Sequence, residues 1–378
     1  MPNQEGFLDC FSELDDPRID RKKRHPLGEI LLLTLCGVIC GCEGWGDIER
    51  FGRHKLSYLR RFLSYTNGVP SDDTLRRFFR AICPKQFRNG FIRWVKSFQL
   101  GLEAGVIAID GKTSRHSFDQ DKSALHLVSA FASETRLVLG QVATDAKSNE
   151  ITAIPELLDL LDIKGALVSI DAMGCQHKIA QKIVDGGGNY LLALKGNQST
   201  LHNDVITYFN QAKQNPIKPE MAQEYDKGHG RVECRTCAVI SDVQWLKEAH
   251  PQWSNLNCIV RIDSQREMAS DAEKETRYYI SSASANAQTL LASTRNHWAI
   301  ENQLHWVLDM SFGDDQSRIR KGNAPENIAL IRHAALNMIR MAKGKRESIK
   351  LLRKAAGWDD QVLERMRSDP LQSCEERV

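Results

Sequence analysis

Two short β-branched runs each end in a carboxylate. VIAID (Val106–Asp110) is followed by Gly111-Lys112, and ALVSID (Ala166–Asp171) by Ala172-Met173-Gly174. An aspartate at the C-terminal end of a strand sits in the crevice where open α/β sheets bind ligands. Adjacent strands lie about 4.8 Å apart, so two such acids can share a cation. Hard oxygen donors suit Mg²⁺ or Mn²⁺, and two such ions about 3.5–4 Å apart serve phosphoryl transfer. A third ligand is expected from the stretch RNHWAIENQLHWVLD, where His297, Glu301, His305 and Asp309 recur at steps of four on one helical face. Glu301 is flanked by Trp298, Ile300 and Leu304, and a carboxylate among apolar neighbours is costly unless paired or on a metal. Pairing of Glu301 with Arg295 or His305 is the competing account, and Asp309 is the competing third ligand.

Other polar clusters suggest contacts with a polyanion. Lys195-Gly196-Asn197-Gln198 closes the strand NYLLALK on the same rim as the two aspartates. There the lysine can neutralise a phosphate and the amides can bond phosphates or bases. In GVPSDDTLRRFFRAI, Ser71 is a candidate N-cap with Asp72 and Asp73 in the first turn. That helix presents Arg76, Arg77 and Arg80 and could be the reading helix of a helix-turn-helix. Alternation along a later strand puts Arg231, Glu233 and Arg235 on one face, near Lys227 and His229, and a cross-strand salt-bridge face is the favoured reading. Asp145, Lys147 and Glu150 are expected to shape the loop and helix start after the third strand, with a metal role as the lesser alternative. Cys234 and Cys237 point to opposite strand faces, so structural zinc is not expected. No Gly-rich phosphate loop with an appended Lys-Ser/Thr occurs, which argues against an ATP-driven accessory factor.

The elements that must position these groups run in a definite order. Residues 1–100 read as helical, with the apolar segment Ile30–Cys42 behind Pro26. From Val106 come three strands at hairpin spacing (106–110, 125–132, 137–143), a helix at 150–161, a strand at 166–171, a helix at 175–185 and a strand at 189–195. This order describes a mixed sheet with helices on its faces. Residues 199–286 read as an all-β insertion with strands at 232–240, 258–262 and 277–282. Gln288–Phe312 then reads as one long helix and Glu326–Lys343 as another, with a peripheral tail, basic then acidic, over 346–378.

The chain has 378 residues, 42% of them hydrophobic, which fits two or three globular domains. The run Ile30–Cys42 is too short to span a bilayer. Met1–Phe11 mixes acids with polar residues, unlike a secretory signal. Ten scattered cysteines favour a reducing cytoplasm over a disulfide framework. The net charge of +3 divides into +5 over residues 1–100, −8 over 101–315 and +6 over 316–378. Basic flanks to hold a polyanion and an acidic centre to concentrate cations fit that division.

Taken together, AIDGKTSR, DAKSNEI, DAMGCQ, YLLALKGNQ, HGRVECR, HWAIENQLHWVLD and the N-terminal DDPRIDRKKRHPL resemble the insertion-sequence DDE transposases that include the H-repeat-associated, Rhs-linked proteins. The resemblance covers nearly the whole chain. It implies an α/β RNase H-like core over about 101–345 with a β-rich insertion, preceded by a helical DNA-binding domain over 1–100. It implies catalytic and metal-binding roles for Asp110, Asp171 and Glu301 with two Mg²⁺ or Mn²⁺ ions, and cleavage and strand transfer of double-stranded DNA by a homodimer assembled on it. Localisation would be cytoplasmic, on the nucleoid when DNA-bound. DNA contacts are expected from Arg76, Arg77, Arg80, Lys195, Asn197, Gln198, Arg318, Arg320 and Lys321. Relatives often carry an arginine four residues before the glutamate and a lysine seven after it. Here those positions are His297 and Leu308, so those two DNA contacts do not carry over. The alternatives are a transposase-derived DNA-binding protein without catalysis, or a related metal-dependent nuclease.

Overall fold

A computed structural model describes residues 6–98, 105–119, 123–144, 150–211, 218–228, 231–267, 272–344 and 346–367. Asp145, Lys147 and His229 lie outside the described residues. The sheet has nine strands, β1 (Val106–Thr113), β2 (His126–Ala132), β3 (Leu137–Ala143), β4 (Leu167–Ile170), β5 (Asn189–Leu194), β6 (Glu220–Gly228), β7 (Arg231–Ile240), β8 (Cys258–Glu267) and β9 (Ala272–Ser281). Their order is β3-β2-β1-β4-β5-β9-β8-β7-β6. The two hairpins β1–β2 and β2–β3 are antiparallel, whereas β1, β4 and β5 run parallel. Burial in the parallel centre is unbroken, from Val106 to Ile109 and from Val168 to Ile170, so both faces of the sheet are covered there.

Among the described residues the N-terminal segment forms five α-helices, α1 (Leu27–Ile39), α2 (Trp45–His54), α3 (Leu56–Leu59), α4 (Asp72–Ala81) and α5 (Pro84–Phe98). Ser71 caps α4 by accepting from the Thr74 N–H at 3.3 Å. The parallel crossovers are α6 (Glu150–Leu160) between β3 and β4 and α7 (His177–Asp185) between β4 and β5. After β5 come α8 (Ser199–Gln211) and α9 (Gln244–Ala249), the latter lying between β7 and β8. After the last strand come α10 (Ala287–Ala299), α11 (Trp306–Phe312), α12 (Ala324–Ala342), α13 (Ile349–Trp358) and α14 (Asp360–Arg367). Nearly all of α1 is buried, because α2, α12 and α13 surround it, and one apolar core runs from these helices into the sheet.

Three expectations are corrected. The segment 199–286 is not all-β, since α8 and α9 lie in it, and its strands extend the main sheet through the β5–β9 pairing. The strand β6 carries Glu224, Tyr225 and Asp226 at its polar, solvated edge, which hid it from a hydrophobicity pattern. Residues 288–312 are not one uniform α-helix, because a π turn, Ile300–His305, separates α10 from α11. The tail is not peripheral: α13 and α14 bury Leu352, Ala356, Leu363 and Met366, and the Arg353 guanidinium donates to the Val38 carbonyl at 2.7 Å. Among the described residues, no helix is long and apolar enough to cross a membrane.

Candidate active site

The parallel register pairs Ile109 with Ile170, so Asp110 and Asp171 stand one step further on, side by side at the C-terminal rim. The Asp171 Oδ1 accepts from the backbone N–H groups of Met173 at 3.0 Å and Gly174 at 3.3 Å, which fixes the carboxylate against its own loop. A Cβ on Gly174 would fall 2.3 Å from an Ile170 methyl, so this tight turn requires glycine. Asn197 Nδ2 donates to the Ala172 carbonyl at 2.6 Å and Gln198 Nε2 to the Cys175 carbonyl at 2.9 Å. Both amides, candidates for DNA contact, brace the Asp171 loop in this structure, and Lys195 beside them is exposed.

Glu301 reaches the same rim from the π turn. Burial pushes the Asp110 carboxyl up to about 7, and the charges of Glu150, Asp171 and Glu301 push the same way against a backbone hydrogen bond from Gly111. Glu301 is likewise raised, first by desolvation and further by Asp171, while the Arg277 cation opposes the rise. The His305 Nδ1 lies 3.4 Å from Asp110, and burial lowers the imidazole to about 4, so the ring is neutral. His297 is held down by burial too, near Asp171 and hydrogen-bonded to the Ser169 backbone.

The competing accounts of this helix fare differently. Arg295 pairs with Glu224 and Asp226, so neither it nor His305 is the partner of Glu301. Asp309, Asp314 and Asp315 place carboxylate oxygens within 4.8 Å of one another, but the Lys112 ammonium already sits among them at 2.7, 3.1 and 3.2 Å. Arg332 adds a second cation, 2.5 Å from Asp314. This acid trio is an internal ion-pair network.

Glu150, expected chiefly to shape a loop and helix start, is a neighbour of the site, as are His126 and Arg277, which the sequence reading does not single out. Glu150 begins α6 beside Asp110, its Oε1 2.8 Å from His126 Nε2, and His126 Nδ1 is 2.7 Å from the Thr113 hydroxyl. Gly111 leaves room for this chain of contacts: a Cβ there would meet the Glu150 carboxylate at 2.1 Å. Arg277, on β9, lies 4.5 Å from the Trp298 ring centroid and is the cation that acts on Glu301. Period-two reading of RYYIS places Arg277 and Tyr279 on one face, a signal that was present but carried no hint of the facing helix.

Of the remaining expected DNA contacts, Arg76 and Arg77 are exposed but pair with Asp72 and Asp73 on their own helix. Arg80 lies on α4 next to Gly322. Arg320 donates to the His116 carbonyl at 2.8 Å and covers the Phe118 ring, Lys321 pairs with Asp119 at 2.6 Å, and Arg318 is exposed. On β7, Glu233 bridges Arg235 and Arg266, as expected of a salt-bridge face. These arginines, with Arg277, Trp298 and Asn302, line a cleft of about 720 Å³ between the sheet extension and α10.

Residues 101–338 match the family model described as Transposase DDE domain, and residues 8–95 match the DDE_Tnp_1-associated model. The "H repeat-associated putative transposase YhhI" of Escherichia coli (strain K12) is 42% identical over 339 residues, 88% of this chain and 90% of the relative. The "Putative transposase YncI" of Escherichia coli O157:H7 is 41% identical over 377 residues, 98% of this chain and 96% of the relative. Among solved structures, the piggyBac transposase synaptic complex with hairpin DNA aligns with a TM-score of 0.44 at 11% identity, over 99% of this chain and 82% of that one.

Proposed function

The chain belongs to the Transposase DDE domain family, and on that premise we propose that it cleaves and joins DNA at the ends of an insertion sequence in a divalent-metal-dependent reaction. Asp110, Asp171 and Glu301 are the acids of this reading. The observation that carries it is their convergence: two strand-end aspartates in register, and a glutamate whose charge reaches Asp110 from the facing helix.

The donor set fits a divalent cation. Hard carboxylates crowd one rim, and burial first, then the charges of Glu150, Asp171 and Glu301, push Asp110 to about 7. When bound, Mg²⁺ or Mn²⁺ would supply Lewis-acid stabilisation of the phosphodiester and a lowered pKa for the attacking hydroxyl. The chain's own part is positional. Two backbone N–H groups keep the Asp171 carboxylate aimed, and the Asn197 and Gln198 amides keep its loop in place. The neutral His305 ring stands against Asp110 without adding a charge that would compete with a cation. Exposed Lys195 and Arg318, and the arginines of the cleft, are placed to take backbone phosphates, which makes affinity salt-dependent. Two subunits on paired ends are the assembly this reading carries.

The test uses the purified chain, Mg²⁺ or Mn²⁺, a DNA fragment bearing the sequences that flank the reading frame, and a target plasmid. Joined products are expected, and they disappear in Asp110→Asn, Asp171→Asn and Glu301→Gln while end binding persists. Cutting without joining points to a nuclease. Binding without cutting points to a transposase-derived DNA-binding protein.

A further inference from the structure

The helix that carries Glu301 departs from α geometry at that residue. In the π turn Ile300–His305 the Trp306 N–H reaches back five residues to the Glu301 carbonyl. Such a turn holds one residue more than an α-helix does, and its backbone is held from outside as well. That contact comes from α12. One guanidinium nitrogen of Arg340 donates to the Gln303 carbonyl inside the π turn, and the other donates to the Arg136 carbonyl in the β2–β3 turn. Arg136 has φ 61°, a conformation side-chain-bearing residues seldom adopt. The Arg340 guanidinium also lies 5.3 Å from the Phe131 ring centroid.

Among the described residues no carboxylate pairs with Arg340, and burial together with the Arg136 charge pulls its pKa below the ordinary arginine range. A guanidinium drawn from water without a counter-ion is a poor way to gain stability alone. Its position has a geometric consequence. Each residue turns an α-helix by about 100°, so one extra residue re-aims everything on the far side of the turn. With the turn in place, His297 and Glu301 lie near Asp171, His305 meets Asp110 and Asp309 meets Lys112.

We propose that Arg340 is a positioning residue: by holding the Gln303 carbonyl it keeps the π turn in register and so sets how Glu301 meets Asp110 and Asp171. This inference rests on the reading of Glu301 as the third acid.

Arg340→Met keeps the stem and removes the donors, and Arg340→Lys keeps a donor and the charge. Both are compared with wild type and Glu301→Gln for thermal stability, end-DNA binding, Mn²⁺ affinity by calorimetry, and cleavage. Loss of an outer support of a metal site typically weakens metal binding or activity by about 10- to 100-fold. Arg340→Met should therefore fold, bind end DNA as wild type does, bind Mn²⁺ at least about tenfold more weakly and cleave correspondingly slowly. Arg340→Lys should recover part of both losses. A folded Arg340→Met with wild-type Mn²⁺ affinity and cleavage, beside an inactive Glu301→Gln, overturns the positioning role alone. A lowered melting temperature with unchanged Mn²⁺ affinity also overturns it. If Arg340→Met fails to fold, Arg340→Lys decides: weakened Mn²⁺ binding supports the proposal, and wild-type behaviour ends it. A Glu301→Gln protein that cleaves normally removes the premise and the inference with it.

Discussion

The Lys112 ammonium lies 2.7 Å from an Asp309 carboxylate oxygen, and this pairing separates the two acids that compete on one helix. Asp309 forms a direct ion pair with a cation supplied by β1 itself, whereas Glu301 feels the charge of Asp171 and adds to that on Asp110, with Arg277 opposing its rise. Asp309→Asn should therefore leave metal-dependent cleavage within a few-fold of wild type. Lys112→Met should do something different. It would leave Asp309, Asp314 and Asp315 facing one another with, among the described residues, Arg332 and exposed Arg115 as the cations still paired to them. Removing one partner of a buried ion pair costs about 3–5 kcal/mol, so urea denaturation should show a loss of that order. A Lys112→Met protein as stable as wild type would refute the network.

Asp110 gives a pH signature. Its carboxyl titrates at about 7 in the folded chain against 3.8 for the free group. Below pH 3.8 both states hold the proton and there is no penalty. Between 3.8 and about 7 the folded state binds a proton that the unfolded state has lost, so stability falls as pH rises. Above that window the penalty is complete, on the order of 4 kcal/mol at 1.36 kcal/mol per unit. Asp110→Asn removes it. The variant should be more stable than wild type at pH 8, and the gap should narrow towards pH 4. Added Mg²⁺ should raise the wild type towards the variant at pH 8, because a ligand bound only by the folded state stabilises it. A gap that is equal at both pH values would exclude this account of Asp110.

Gly111 tests whether Glu150 belongs to the site. A Cβ there would meet the Glu150 carboxylate at 2.1 Å and the His126 ring at 2.5 Å, both tied to each other by a hydrogen bond. Gly111→Ala must displace that pair, and since the colliding atoms are the ends of flexible side chains the stability cost should stay within about 1 kcal/mol. Reduced cleavage should therefore appear with little loss of stability. If Gly111→Ala cleaves as wild type does, the Glu150–His126 pair is not part of the site.

Much of the centre of the fold was legible because its signals are local. β-branched runs ending in Asp110 and Asp171, hairpin spacing and Ser71 before an acidic first turn each specify their own backbone. Legibility ended where a residue's role depends on what faces it. His297, Glu301, His305 and Asp309 recur every four residues, but the sequence does not show that a π turn interrupts the repeat. Asn197 and Gln198 look the same whether they bond a phosphate or the Asp171 loop. Leu352 and Leu363 lie among charged residues, and only their packing on the neighbouring helices α1 and α12 makes that stretch part of the core. Arg277 reaches the site from β9, and no motif quoted from the sequence contains it; Glu150 lies in DAKSNEI, but nothing in that stretch shows that it faces Asp110.

The rim beside Asp171 allows one separation of roles. Lys195 is exposed there, whereas Asn197 and Gln198 spend their amides on the carbonyls of Ala172 and Cys175. Lys195→Ala should weaken end-DNA binding across sequences and reduce the slope of log affinity against log salt by about one, the mark of a lost phosphate contact. Asn197→Ala and Gln198→Ala should leave that slope unchanged. Their loss frees two carbonyls and loosens the loop that aims the Asp171 carboxylate, so cleavage and Mn²⁺ affinity should fall while end binding holds. Salt titrations of binding, run beside cleavage rates for the same three proteins, decide it. If Asn197→Ala changes the salt slope and spares cleavage, the amide contacts DNA after all and the bracing role assigned to it is wrong.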